Sequence, residues 1–140
     1  MKHLTVIIFL FLSYSVVSAQ QDWTLLQQVN GITFYTKSEA CQQAGLPQPL
    51  LYRFIKVENA GSQTARVFFN LHTFYSSHCD GCNNSPESER SFDILPGQVI
   101  YGDCNFSNSV KLDLLEQSPF LSELIFSHIE LANLSVTWIN

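Results

Sequence analysis

Alternating apolar and polar residues dominate the middle of the chain. From Thr64 to Phe74 every second side chain is apolar over most of the segment: Ala65, Val67, Phe69 and Leu71. A period of two over this length predicts a strand, because a helix repeats near 3.6 residues. This is the clearest element in the sequence.

Shorter alternating segments flank this strand and are separated by turn residues. Leu25–Val29 and Ile32–Thr36 bracket Asn30-Gly31, a dipeptide typical of two-residue hairpins, because both turn residues must take positive φ. Residues 37–49 and 76–90 contain Gly, Pro or clustered polar residues and are predicted to be loops. The remaining predicted strands are Leu50–Glu58, Ser91–Leu95, Gln98–Asp103 and a segment from Val110 to Leu114.

The end of the chain fits two structures. Ser118-Pro119 is a suitable helix start, and a helix there would place these residues on one face: Leu121, Leu124, Ile125, His128 and Ile129. Residues 124–139 equally fit one or two strands that end in Leu134, Val136 and Trp138. We favour mostly strand for residues 118–139.

The first residues show a different pattern. Lys2 and His3 precede an uncharged apolar run, residues 4–12, and Val17-Ser18-Ala19 places small residues where a signal peptidase cleaves. The run is too short for a membrane-spanning helix, which needs about 20 residues, and no Cys stands at the cleavage point for lipid attachment. We therefore predict a signal peptide over residues 1–19, no membrane span after cleavage, and a secreted or periplasmic protein.

Residues 20–140 are long enough for a single domain and short for two. Short strands at roughly ten-residue spacing predict an all-β fold, an antiparallel β-sandwich of about 7–9 strands. The stretch Leu50–Cys104 contains YRFIKVENAGSQTARVFFNLHTFY and then SFDILPGQVIYGDC, and it resembles an immunoglobulin-like or fibronectin-III-like module. The chain also resembles small uncharacterised exported bacterial proteins with this layout of strands and cysteines. The Cys–Trp–Cys spacing of antibody domains is missing, so the resemblance implies a fold and no activity.

Charge disfavours two classes of partner. The chain has 12 acidic and 7 basic residues and a net charge of −5. Nucleic-acid binding depends on Lys and Arg that neutralise phosphates, and anionic membrane surfaces attract basic segments. The carboxylates are scattered along the sequence, so the sequence alone does not indicate an acidic binding face.

Four cysteines in a small exported chain predict two disulfides. Three connectivities are possible. Strand directions counted along an up-and-down path place Cys41, Cys79, Cys82 and Cys104 at the same end of the sandwich. We favour Cys41–Cys104 together with Cys79–Cys82. The alternative joins Cys41 to one member of the Cys79/Cys82 pair and Cys104 to the other.

The same cysteines suggest two other kinds of chemistry. Cys79 and Cys82 have the Cys-x-x-Cys spacing of zinc ligands, and His78 and Cys104 are further candidates for a metal site. Redox exchange of the thioredoxin type requires the first Cys at a helix N-terminus, whereas Cys79 follows a predicted strand. Because an oxidising compartment favours disulfides, no metal or other cofactor is predicted.

No catalytic residue is predicted either. The chain has no Gly-x-Ser-x-Gly and no His-Glu-x-x-His motif, and His72, His78 and His128 are isolated. We therefore expect a non-enzymatic binding or interaction module. The rival hypothesis is a structural zinc-binding or Cys-x-x-Cys redox protein centred on Cys79 and Cys82.

Loops on a rigid sandwich are the usual place for recognition. The predicted contact surface is therefore the cysteine end, residues 37–49, 76–90 and 104–109, and the predicted partner is another protein or a glycan. A second candidate is an exposed aromatic sheet face, which requires that Phe68, Phe74 and Tyr75 are not covered.

Overall fold

The strands of this protein follow from its two-residue alternation. A computed structural model describes residues 22–118 and 125–139. These residues form nine strands and no helix, and the strands make two antiparallel sheets. The predicted all-β sandwich is thus confirmed.

The predicted signal peptide, residues 1–19, lies outside the described residues. In the described ranges no helix is long and apolar enough to cross a membrane.

The strand bounds, in chain order, are β1 Thr24–Val29, β2 Ile32–Cys41, β3 Leu50–Asn59, β4 Thr64–Tyr75, β5 Cys79–Asp80, β6 Glu89–Ile94, β7 Val99–Tyr101, β8 Asp113–Gln117 and β9 Phe126–Ile139. The hairpin between β1 and β2 is the predicted Asn30-Gly31 turn, and both residues have positive φ (48° and 79°).

The first sheet has the order β1-β2-β3, and β7 and β8 share the far edge of β3. β7 pairs with residues 56–58 of β3, and β8 pairs with residues 51–54. The two short strands are therefore halves of one line, continued by hydrogen bonds of Gly102 and Leu112 to Ile55. We call residues 103–111, which leave this line and return to it, the Cys104 excursion.

The second sheet repeats this arrangement. β9 covers one edge of β4 along its length, while β5 and β6 share the other edge. β5 pairs with residues 73–74 of β4, and β6 pairs with residues 65–70. The residues between them, 81–88, we call the Cys82 excursion. It begins at Gly81 (φ 82°), where a Cβ atom would collide with the carbonyl oxygen of Leu71.

The core lies between the sheets. Phe34 of β2 meets Phe69 of β4 edge to face, with ring centroids 5.9 Å apart. The predicted inward residues of β4 are all buried, as alternation requires. Around them lie further buried apolar residues of both sheets: Ile32, Ile55, Val57, Ile94, Leu112, Ile129 and Leu131. Removal of this apolar surface from water is the main stabilising contribution to the fold.

Three predicted boundaries are wrong. Lys37–Cys41 is not a loop but the second half of β2, because its polar residues find partners: Lys37 pairs with Glu39, and Ser38 donates a hydrogen bond to Glu116. Residues 76–90 contain the two-residue strand β5 and the start of β6. The strand predicted at Val110–Leu114 is shifted to Asp113–Gln117, since Val110 belongs to the Cys104 excursion.

The end of the chain is one long strand. β9 spans 14 residues and pairs with β4 throughout, so the helical alternative is wrong for residues 126–132. Residues 119–124 lie outside the described part of the chain. The register of β9 shifts opposite Phe69, where Asn133 takes positive φ (53°). This bulge resets the alternation, which is why the sequence pattern is ambiguous here.

Asn59 is a buried polar residue where β3 ends. Its side-chain amide donates to the carbonyl oxygens of Gln63 (2.9 Å) and Ile94 (3.0 Å) and accepts from the Gly61 N–H (2.9 Å). The residue is 1% exposed. It therefore ties the first sheet to the end of β6 in the second.

We expect Asn59→Ala to lower the free energy of unfolding by about 2–3 kcal/mol, because buried backbone groups would lose their partners without gaining water. Denaturant unfolding measures this loss. Asn108→Ala is the matched control, since Asn108 also makes two side-chain bonds to backbone groups, near the surface, where water can replace them. Equal losses in both variants would contradict the expectation.

Candidate functional site

The structure pairs Cys41 with Cys104, and their Cα atoms are 5.4 Å apart. Cys41 ends β2 on the outer side of the first sheet and is 1% exposed. The disulfide holds the Cys104 excursion across that outer side, where Phe106 packs on Tyr52 with ring centroids 4.9 Å apart. Phe54 is fully buried beneath it, although it points away from the core between the sheets.

The second pair joins Cys79 in β5 to Cys82 at the start of the Cys82 excursion, with Cα atoms 5.8 Å apart. Cys79 is half-buried and Cys82 is exposed. β4 delivers the chain to Cys79 at the end where the Tyr75 hydroxyl donates to the Leu115 carbonyl oxygen of β8 (2.8 Å). Both disulfides thus match the pairing that we favour from the sequence.

The alternative chemistry at these cysteines is not assembled. Cys104 is bonded to Cys41, and His78 pairs with Asp80 (3.1 Å) and stacks on Tyr75. In residues 22–118 and 125–139 no three His, Cys, Asp or Glu side chains are placed to hold a metal ion. Cys79 lies in a strand, so it lacks the helix N-terminus that thioredoxin-type exchange requires.

A groove runs between the two interrupted strand lines. We call it the edge groove; β5, β6 and the Cys82 excursion form one wall, and β7, β8 and the Cys104 excursion form the other. Its three sections have volumes of about 650, 450 and 540 Å³. Neighbouring sections share lining residues, Glu87 and Arg90 at one junction and Phe92 and Val110 at the other, so the three sections adjoin along one side of the sandwich.

Arg90 bridges the groove. Its guanidinium donates hydrogen bonds to the Lys111 carbonyl oxygen on the opposite wall and to the carbonyl oxygens of Glu87 and Glu89 on its own wall. Burial lowers the pKa of Arg90, and the charge of Asp113 opposes this shift. The Arg90 side chain therefore links the two walls of the groove through hydrogen bonds.

Outside the groove the described cations are locally neutralised. Lys37 pairs with Glu39, Lys56 with Glu58, and Arg53 binds Glu116 through two hydrogen bonds. The fourth pair joins the exposed Arg66 to Asp93 at the groove margin. The negative charge of the chain must therefore be concentrated elsewhere.

The edge groove holds that charge. Six of the twelve carboxylates line it, together with two cations, Arg90 and Lys111, and Arg66 binds one of the six, Asp93, from the margin. The six are Asp80, Glu87, Glu89, Asp93, Asp103 and Asp113. Among the described residues no cationic side chain pairs with Glu87 or Glu89. The sequence alone does not indicate this acidic face, because folding gathers carboxylates that are scattered along the chain.

Two carboxylates on the groove walls have pKa values that are shifted in opposite directions. Burial raises the pKa of Asp113, and the charges of Arg90 and Lys111 only partly offset this. The hydrogen bond from Arg66 lowers the pKa of Asp93. An ionised Asp113 therefore destabilises the folded state, whereas an ionised Asp93 stabilises it.

The predicted contact segments are divided by the fold. Residues from 76–90 and 104–109 line the edge groove, whereas residues 37–41 belong to β2. From residues 42–49, Gln48 and Pro49 line a separate small depression of about 200 Å³. The acidic residues were the signal in the sequence for the groove. Their grouping is seen only in the tertiary structure, where β6 and β8 lie on opposite walls of the groove.

The predicted aromatic face is not an open one. Phe68, Phe74 and Tyr75 are all half-buried. The Phe74 ring is stacked on His128, with centroids 4.4 Å apart and planes at 3°. Tyr75 turns toward Phe126 and bonds to β8. Phe74 and Tyr75 are thus partly covered by neighbouring rings and Phe68 is half-buried, so the three do not form an open aromatic face.

The fold and its cysteine pairs define a disulfide-stabilised β-sandwich, a class typical of oxidising compartments. No protein-family model, curated protein or solved structure matches this chain.

The two disulfides should differ in their effect on stability. Cys41–Cys104 spans 63 residues. Closing a loop of this length lowers the conformational entropy of the unfolded chain, which raises the free energy of unfolding by about 4 kcal/mol. Cys79–Cys82 spans three, so it restricts the unfolded chain far less. We expect the Cys41→Ala/Cys104→Ala variant to lose much more unfolding free energy than Cys79→Ala/Cys82→Ala in denaturant titrations. Similar losses would contradict this order.

Asp113→Asn should stabilise the protein at about pH 7. A pKa raised in the folded state contributes stability below the ordinary carboxyl value, and that stability is lost as pH rises through the raised value. The neutral amide of the variant avoids this loss, so the variant should melt at a higher temperature than the parent protein at about pH 7. The difference should disappear at about pH 3, where Asp113 of the parent protein is also neutral.

Asp93→Asn is the control of opposite sign. Its lowered pKa contributes stability above the ordinary value, which is lost as pH falls through the lowered value. This variant should melt at a lower temperature than the parent protein at neutral pH, and the difference should vanish in acid. Identical pH profiles for the two variants would refute both assignments.

Proposed function

We propose that this protein is an exported, non-enzymatic binding module whose contact surface is the edge groove. Its partner is an extended, positively charged polypeptide segment. One observation carries the proposal: two strand lines with free edges face each other across a groove that holds half of the carboxylates in the chain.

The free edges favour a polypeptide over a glycan. In the described residues β6 pairs only with β4, and β8 pairs only with β3. The outer edges of both strands are therefore without a partner strand in this part of the chain, although the Glu89 carbonyl oxygen accepts from Arg90 and the Leu115 carbonyl oxygen accepts from Tyr75. Away from these two contacts the edges can take an added strand, a common mode of peptide recognition. Main-chain hydrogen bonds would supply affinity without requiring a particular sequence.

Charge selects the partner. Along β6 the exposed residues Glu89, Ser91 and Asp93 alternate with the more buried Arg90, Phe92 and Ile94. A strand added beside β6 would place a side chain next to Glu89, which has no cationic partner and where Lys or Arg is favoured; Asp93 is already bonded to Arg66. The other side chains of the added strand would meet Phe92, where an apolar residue fits. The partner should thus alternate basic and apolar residues.

Export is supported by the predicted signal peptide and by the disulfides. Two disulfides persist in oxidising compartments and are rare in the cytosol. We propose a secreted or periplasmic location for the chain that follows residue 19.

The immunoglobulin-like classification is part of the proposal. β3 neighbours the β7–β8 line in one sheet while β4 neighbours β9 in the other, as strands B with E and C with F do in immunoglobulin domains. The β5–β6 line, which lies between β4 and β7 in the sequence, pairs with β4 rather than with the β7–β8 line. This departure creates the edge groove, because it leaves both lines as edges on the same side.

The test is a titration with a cysteine-free peptide of about ten residues that alternates lysine and valine. We expect binding at low ionic strength that weakens about tenfold at high salt, with amide chemical-shift changes confined to β6, β8 and the two excursions. A peptide of alternating glutamate and valine should not bind. Binding of both peptides, or shifts elsewhere, would overturn the proposal.

Variants localise the interaction. Glu87→Gln/Glu89→Gln should weaken binding of the basic peptide about fivefold, because two unpaired carboxylates are lost. Glu130→Gln is the matched control, since Glu130 is exposed on β9 at the other edge of the second sheet. If the control weakens binding as much, the groove is not the contact surface.

A further inference from the structure

The Cys79–Cys82 disulfide lies in the largest section of the edge groove. Both cysteines line it, together with Asp80, Glu87 and Asp113. Cys82 is exposed, whereas Cys41 of the other disulfide is 1% exposed and is covered by the Cys104 excursion. Cys104 is half-buried, so neither member of the second pair is as exposed as Cys82, and a thiol from solution meets the first bond more readily.

The bond is also not essential to the backbone around it. The Cys82 excursion is held independently, by the Ser88 carbonyl oxygen that accepts from the Leu71 N–H (2.8 Å) and by Asn84, which contacts His72 (3.1 Å) and Asn133 (3.2 Å). The sandwich is not expected to unfold when this disulfide opens. Exchange at this position is thus compatible with a folded groove.

The charge around the sulfur atoms selects the thiol. This section of the groove has three carboxylates and one cation, and the guanidinium of Arg90 is hydrogen-bonded to the backbone carbonyl oxygens of Lys111 and Glu87. An anionic thiolate reagent is repelled here, while a thiol on a cationic molecule is concentrated. Selectivity therefore arises from the approach of the thiol and not from the leaving sulfur.

We infer that Cys79–Cys82 is an acceptor site for thiols carried by cationic molecules. This inference rests on the proposed function, because it takes the edge groove as the surface that binds partners. It adds covalent capture of the partner to reversible binding. The partner class is narrowed to basic segments that contain a cysteine.

The exchange step is balanced without an added oxidant. The partner's thiolate attacks Sγ of Cys82, the more exposed sulfur, and forms a new S–S bond. The Cys79–Cys82 bond breaks, and its electron pair leaves on Sγ of Cys79, which takes a proton from water.

The test compares two small thiols, cationic 2-aminoethanethiol and anionic thioglycolate, on the purified folded protein. Each rate is divided by the rate of the same thiol with a small neutral disulfide, which removes differences in intrinsic reactivity. At an ionic strength of about 10 mM we expect the normalised ratio to favour the cation about tenfold, and to approach one at about 1 M. Acid quenching and peptide mapping should find the adduct on Cys82, with Cys41–Cys104 intact.

Asp80→Asn/Glu87→Gln should reduce the ratio to within about twofold of one at low ionic strength, and Glu130→Gln should leave it unchanged. A ratio near one in the parent protein, an equal effect of Glu130→Gln, or adducts on Cys41 or Cys104 would overturn the inference. The cysteine-free peptide separates the two proposals. If it fails to bind while the thiol ratio persists, the binding function fails and the acceptor site stands; the reverse result removes only the acceptor site.

Discussion

The register of β3 and β4 is the constraint on which the rest of the structure depends. Both strands cross the whole sandwich without interruption, and a slip of one residue would turn Val57 or Phe69 out of the core. Their neighbours on one side, β7–β8 and β5–β6, follow this register only in part. Each line departs at a glycine, Gly102 or Gly81, where a Cβ atom would collide with backbone, and returns to finish the strand.

The two departures create what is distinctive in this protein. Each excursion carries a disulfide, and together they border one groove. The Cys104 excursion extends the apolar packing by covering Phe54 and Tyr52, so it stabilises the fold. The Cys82 excursion covers mainly polar groups and leaves its disulfide in the groove. Similar interruptions thus yield one structural element and one accessible surface.

Electrostatics separates that surface from the rest of the molecule. Four of the described cations are matched by a carboxylate partner, so their local fields largely cancel. The groove keeps Glu87 and Glu89 unpaired and holds Asp113 where burial raises its pKa. A charge kept at a cost to stability is more typical of a binding surface than of a structural one. The field that we propose to attract a basic segment would also select which thiols approach Cys82.

Alternation in the sequence determined most of the strands, because a period of two is a local property of neighbouring residues. It was sufficient for β1, β3, β4 and the Asn30-Gly31 turn, and it failed at Lys37–Cys41 and Val110, where polar or apolar residues take roles set by distant partners. The cysteine count determined that two disulfides were expected. The groove was decided by tertiary structure alone, because Glu87 and Asp113 line the same section only when the β5–β6 and β7–β8 lines take edge positions in different sheets. Strand pairing is a long-range choice, so the charge of this surface cannot be obtained from the order of residues along the chain.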